Sequence, residues 1–206
     1  MGLREKKKQR TRKAILDYSK QRFIEDGYKK VTTAEIASAL EIGEGTIFNY
    51  FNSKGQLFIE CLVETVKMEN YNFNSITIMN EEDIVKEVVN FIEAYLNSFK
   101  KLDSSLLKEY ISVLYDVSNR VKSNECVMQF IDEFFLTLLN KLLDSFKTLE
   151  WFNIDIDNEN ISLCVMGCII TQFTFYVYDE SYTYEHMITK IQRLVSLILH
   201  GNILKC

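Results

Sequence analysis

Proline is absent from this 206-residue chain, and glycine occurs only seven times. That scarcity excludes collagen-like and proline-rich linker architectures and disfavours a turn-rich β-sandwich. Histidine is almost missing too, with only His186 and His200. Neither stands at metal-ligand spacing or beside a Ser or Cys nucleophile in sequence. The expectation is therefore no enzyme: no catalytic residue, no cofactor and no metal centre. The five cysteines, Cys61, Cys126, Cys164, Cys168 and Cys206, are odd in number and contain no CxxC, which argues against a disulfide framework or a zinc ribbon. Cys164 and Cys168 lie about one helical turn apart in an apolar run. Such a pair can sense oxidants or bind a metal, but two small buried hydrophobes is the favoured reading. The N-terminus is charged, which speaks against a signal peptide. No stretch of about 18 residues is free of polar interruption, so no membrane span is expected. These absences fit a reducing cytoplasm.

What is present points to helices. Hydrophobic residues make up 47% of the chain and charged residues 26%, enough apolar material to bury a sizeable core. The net charge of −5 is unevenly spread. Residues 1–54 carry 12 basic and 7 acidic side chains, and the remainder 12 basic and 22 acidic. A basic head on an acidic body suggests that the head alone meets a polyanion.

Apolar residues recur at helical spacing almost throughout. A first helix runs to Gly27, placed as a left-handed terminator. Thr32 or Thr33 caps a short second helix ending near Leu40, with Ile36, Ala37 and Leu40 on its buried face. A turn at Glu41-Ile42-Gly43 leads to a third helix from about Glu44 to Phe51. Ser53 caps a fourth that starts at Lys54 and extends towards Asn70. Further helices are expected over Glu81–Lys101, Asp103–Val121, Asn124–Leu149, from Asp157 or Asn158 to Tyr178, and over Tyr184–His200. No run alternates with period two for long enough to be a strand, and no internal repeat is visible.

Two short helices joined by a turn of about three residues make a helix-turn-helix. The stretch Val31–Phe58 reads VTTAEIASALEIGEGTIFNYFNSKGQLF. With Thr32, Ile36-Ala37, Ile42, Gly45-Thr46-Ile47, Tyr50-Phe51, Ser53-Lys54 and Leu57 in register, it resembles the DNA-binding domain of the TetR family of bacterial transcription regulators. The resemblance implies an all-α protein: an N-terminal three-helix helix-turn-helix DNA-binding domain at 1–53, followed by a helical ligand-binding and dimerisation domain at 54–206. It implies base readers at Glu44, Gly45, Thr46 and Asn49, and phosphate contacts at Thr33, Phe48, Tyr50 and Lys54. Chemistry agrees, since Glu44 can accept from cytosine N4 and Asn49 can pair with adenine N6/N7. The basic residues from Arg4 to Lys13 can add salt-dependent phosphate affinity.

The chain departs from the family pattern at four places. Leu40 replaces a small alanine and Phe48 a tyrosine. Gly43 stands where a capping serine is usual, a loss of only a few tenths of a kcal/mol. Glu41 replaces the turn glycine, so a left-handed backbone there costs roughly 1–2 kcal/mol or is avoided.

The segment Ile161–Val177 is apolar nearly all round, and the final helix carries a stripe of Met187, Ile188, Ile191, Leu194, Val195, Ile198 and Leu199. A helix apolar all round must be covered on every side. A second copy can supply one side, which predicts a homodimer through the last two helices on a palindromic DNA operator. The body is rich in aromatic residues. Tyr71, Phe91, Tyr95, Tyr110, Phe135, Phe173 and Tyr176 are candidates to line a pocket for a small lipophilic or aromatic inducer, with Asn90, Glu109, Gln129 and Gln172 as polar anchors. The resulting expectation is a sequence-specific repressor released by a ligand, with the helix from Lys54 as the lever. The alternative is an all-helical dimeric interaction protein without an inducer.

Overall fold

A computed structural model of the chain describes residues 2–65, 71, 73, 76–115, 133–153 and 155–204. The described residues form helices α1 (Leu3–Asp26), α2 (Thr33–Ala39), α3 (Glu44–Phe48), α4 (Lys54–Thr65), α5 (Glu81–Phe99), α6 (Ser104–Tyr115), α7 (Glu133–Thr148), α8 (Asn158–Tyr178) and α9 (Tyr184–Leu199). No strand occurs among them; Phe152 and Ile203 share an isolated antiparallel bridge. The fold is all-α, as the periodicity predicted. The expected helical stretches 66–70, 116–121 and 124–132, with Gln129, lie outside the described residues.

Helix ends follow their capping chemistry. Thr32 accepts from the Glu35 N–H at 3.2 Å, Ser53 from the Gln56 N–H at 3.0 Å, and Asp157 from the Glu159 N–H at 2.9 Å. Asn80 and Asp83 exchange bonds at the start of α5, a reciprocal box that satisfies two orphan donors. Gly27 and Gly201 end α1 and α9 at φ 81° and 85°. Two non-glycine residues also take left-handed backbone: Glu41 at φ 53° and Glu150 at φ 61°.

The chain divides into two compact units, Met1–Lys67 with Leu102–Asp132, and Met68–Lys101 with Glu133–Cys206. In the first, α1 packs on α4, α2 on α3, and α4 on α6. Ile15, Phe23, Ile36, Ile47, Phe51 and Phe58 are at most 1% exposed and form its core. In the second, α8 packs against α7 and α9, and α9 against α5. Here Phe91, Phe135, Leu139, Val165, Ile191 and Val195 are fully buried.

α8 corrects two sequence expectations. It is long and apolar enough to cross a membrane, with a mean hydropathy of 1.6 over its best window, although no such stretch was expected. Beyond Glu159 in its first turn, its Ser, Thr, Asn and Gln residues interrupt an apolar run only weakly, and 44% of the apolar stretch is buried within the protein. Cys164 and Cys168 are not buried hydrophobes either: Cys164 is exposed and Cys168 half-buried. Both lie about 100° around α8 from the buried Val165 and Ile169.

Candidate nucleic-acid interface

The turn between α2 and α3 decides where the third helix points. The Glu41 N–H donates to the Ser38 carbonyl at 3.1 Å and the Ile42 N–H to the Ala37 carbonyl at 3.0 Å. This double closure is the Schellman arrangement, which requires left-handed backbone at the intervening residue. Glu41 therefore adopts the strained geometry that glycine normally supplies. Gly43 precedes α3 without a side-chain cap. α3 itself is a single short turn, and the chain stays coiled to Phe51 through bonds from the Tyr50 and Phe51 N–H groups to the Ile47 carbonyl, at 2.9 and 3.0 Å.

Ile47 and Phe51 are buried, which fixes the opposite face of this segment outwards. Glu44, Gly45 and Asn49 are exposed, Thr46 and Tyr50 half-buried. Phe48 is 45% exposed, a large apolar surface next to the exposed Asn49. Thr33 and Glu44, taken separately from sequence, are brought together: the Thr33 hydroxyl donates to Glu44 Oε1 at 2.6 Å. The bond ties the first residue of α2 to the first residue of α3 and holds the Glu44 carboxylate on that side.

Lys54 opens α4 with its ammonium 4.3 Å from the centre of the Tyr28 ring. Partial burial pulls its pKa down, and the nearby Glu109 opposes that pull. Glu109, considered from sequence as a pocket anchor, accepts the Tyr28 backbone N–H at 2.6 Å. A Cβ added at Gly27 would crowd the same carboxylate at 3.3 Å, and the φ of 81° favours glycine there in any case.

Other polar contacts were not foreseen. Arg22 bonds Asp26 at 2.7 Å and Glu35 at 2.9 Å, joining α1 to α2, and the Glu35 bond raises its pKa. Arg12 pairs with Glu60 and lies over the Phe51 ring, 5.1 Å from its centre. Its place in the basic run from Arg4 to Lys13 thus has a structural use. The Arg22–Asp26 spacing of four was readable in sequence; the Arg12–Glu60 pair spans 48 residues and left no local signal.

Six of the seven aromatic candidates fall in the second unit. Tyr71 meets Phe91 edge-on at 5.1 Å, and Phe91 meets Phe135 at 5.1 Å. Phe135 meets Tyr95 at 4.6 Å, and Phe173 meets Tyr176 at 6.1 Å. Phe99 links the two groups through Tyr95 and Phe173. Tyr110 belongs instead to α6 of the first unit, where it is buried. The Tyr71 hydroxyl donates to Glu87, and burial together with that bond raises its pKa. Burial, with Glu93 adding to it, pushes Tyr184 up to about 12. Both phenols are therefore neutral donors at ordinary pH. Of the polar candidates, Gln172 accepts from the Tyr182 hydroxyl and Asn90 is exposed. A separate open groove of about 710 Å³ is lined by Glu82, Val85, Gln192, Arg193 and Leu197, with none of the seven aromatics.

Residues 15–61 match the family model for bacterial regulatory proteins of the tetR family. The chain is 35% identical over 79 residues to the HTH-type transcriptional regulator YvkB of Bacillus subtilis (strain 168), covering 38% of this chain and 40% of that protein. It is 40% identical over 48 residues to the HTH-type transcriptional regulator QacR of Staphylococcus aureus (strain Mu50 / ATCC 700699), covering 23% of this chain and 26% of that protein. These matches thus span well under half of the relatives' own length. The fold extends further. Thermus thermophilus FadR, a TetR-family repressor in complex with lauroyl-CoA, superposes with a TM-score of 0.59 at 15% identity, over 95% of this chain and 96% of that one. A TetR-family regulator from Mesorhizobium loti MAFF303099 gives 0.56 at 14% identity, over 96% and 98%. With its helix-turn-helix built on Ile36, Ile47 and Phe51, the segment 15–61 is a DNA-binding domain of the tetR family type, and the rest of the chain shares the fold of the solved regulators.

Proposed function

We propose that the chain is a homodimeric cytoplasmic repressor. It reads a palindromic operator with α3 of each protomer and releases it when a small lipophilic or aromatic molecule enters the helical body. The observation that carries this reading is the outward face of α3: Glu44, Gly45 and Asn49 are exposed while Ile47 and Phe51 anchor the segment from behind. In a helix-turn-helix this face enters the major groove. Glu44, Gly45, Thr46 and Asn49 read base edges. Thr33, Tyr50 and Lys54 contact phosphates. For Thr33 this means exchanging its bond to Glu44 for one to DNA, which frees the carboxylate to accept from a cytosine amino group.

The domain that reads DNA is residues 1–53, and residues 54–206 dimerise and take the ligand. The uncovered side of α8, with Leu163, Phe175 and Tyr178 each at least 51% exposed, supports a second copy seated on the last two helices. The rings of Tyr71, Phe91, Tyr95, Phe135, Phe173 and Tyr176 support an apolar guest; the T. thermophilus neighbour of the same fold holds lauroyl-CoA. α4, Lys54–Thr65, directly follows the reading segment in the chain and is the lever.

A gel-shift titration at several salt concentrations tests the reading. Tight binding to the DNA upstream of the protein's own gene is expected, and if 6–10 phosphates are contacted it weakens by about 10³–10⁵ between 50 and 200 mM salt. Lys54→Ala should lower the salt slope by about one unit. Equal affinity for upstream and unrelated DNA would overturn the repressor reading in favour of a helical interaction protein.

A further inference from the structure

α8 carries two thiols on one side, Cys164 exposed and Cys168 half-buried. Cys164 and Cys168 are four residues apart, so their Cβ atoms lie one above the other, about 5–6 Å apart. That is too far for a disulfide, which needs about 3.5–4.5 Å between Cβ atoms. It suits a chelate. In a tetrahedral thiolate site with metal–sulfur bonds of about 2.3 Å, neighbouring sulfurs are roughly 3.8 Å apart. Two side chains leaning towards each other from successive turns reach that separation. Burial and the neighbouring Cys164 hold the Cys168 thiol above its ordinary pKa. A raised pKa disfavours attack on oxidants, which requires thiolate. A bound cation reverses it by displacing the protons. Cys164 is exposed and Cys168 half-buried, so a cation reaches the pair from the Cys164 side.

Within one chain the site is half complete. Among the described residues no three His, Cys, Asp or Glu side chains converge on a common point. A tetrahedral thiolate site needs four ligands. We infer that Cys164 and Cys168 form half of a four-thiolate site for a thiophilic divalent d¹⁰ cation of the zinc and cadmium class, completed by the same two residues of a second copy. This rests on the homodimer reading, in which the uncovered side of α8 faces its symmetry mate, so that a two-fold axis passing beside Cys164 and Cys168 brings the four thiols together. Binding converts four thiols and one divalent cation into a tetrathiolate complex of charge −2 and releases four protons to solvent.

The test uses the full chain, reduced and metal-free, titrated anaerobically with Cd²⁺. Thiolate-to-cadmium absorption and proton release are recorded, and sedimentation is run on the same sample. The expected result is a dimer that takes up one Cd²⁺ per two chains with four protons released. The band should be lost in Cys164→Ser and in Cys168→Ser but retained in the double variant Cys126→Ser/Cys206→Ser. A dimer that shows no band, or that forms an interchain disulfide in air while refusing Cd²⁺, overturns the metal site and leaves the dimer standing. One Cd²⁺ bound per chain at the pair overturns the shared four-thiolate geometry. A monomer at micromolar concentration overturns the dimer reading and the shared site with it.

Discussion

The two units of this protein carry their information in different ways. In the first, the proposed DNA contacts lie between Thr33 and Lys54, and the devices that orient them lie in the same stretch: the Thr32 cap, the Glu41 turn and the Ser53 cap. In the second, the aromatic set comes from α5, α7, α8 and Tyr71, which are neighbours only after folding. A recognition surface built from one short segment is encoded locally. A ring cluster built from four segments, proposed here as the ligand site, is encoded by packing, where any ring of suitable size serves. On the proposed function this contrast follows from what each would meet: base edges at fixed spacing in one case, an apolar guest of tolerant shape in the other.

Substitutions can break or sharpen that contrast. The largest effect is expected at Phe51, which is fully buried behind α3 and under the Arg12 guanidinium. Phe51→Ala should cost about 3–5 kcal/mol of stability, read by chemical denaturation, and should abolish DNA binding while the helices of the second unit persist. Loss of both units in one transition would show that the contrast is not one of independent stability. Glu41→Gly should have a smaller effect of opposite sign. It removes the left-handed strain at φ 53° and should stabilise by about 1 kcal/mol; a destabilised variant would mean that the Glu41 side chain makes a contribution larger than the strain. The smallest effect is expected at Tyr71→Phe. Losing the bond to Glu87 should cost about 1 kcal/mol and leave operator affinity unchanged without ligand. A large loss of DNA binding there would place Tyr71 in the reading machinery.

How much could be read beforehand divides along the same line. The caps at Thr32, Ser53 and Asp157 and the terminators Gly27 and Gly201 were legible, because each acts on backbone groups within a few residues. The price of Glu41 was legible too, as a choice between strain and avoidance; the bond from Ile42 to Ala37 shows that strain won. The left-handed Glu150 was not anticipated, since no glycine marks it, although the Trp151 N–H closes on the Phe146 carbonyl at 3.0 Å in the same way. Bonds over long separations were invisible. Nothing in sequence pairs Glu109 with Tyr28, 81 residues away.

The one-sidedness of α8 was hidden for a different reason. Its apolar residues surround the helix, so hydrophobic periodicity carries no direction. Only packing against α7 and α9 shows which side remains open, with Cys164 on it and Cys168 at its edge.

The central claim is that α3 reads sequence and that two copies do so together. Selection of bound DNA from a random pool, run in parallel on the wild type and on Asn49→Ala, tests it most directly. The account predicts an inverted repeat for the wild type, with half-sites separated by a whole number of helical turns of about 10–10.5 base pairs. Asn49→Ala should enrich the same repeat with preference relaxed at one symmetry-related base pair, a discrimination of about 1–3 kcal/mol. Enrichment of no motif, or of an unchanged motif by Asn49→Ala, would contradict it.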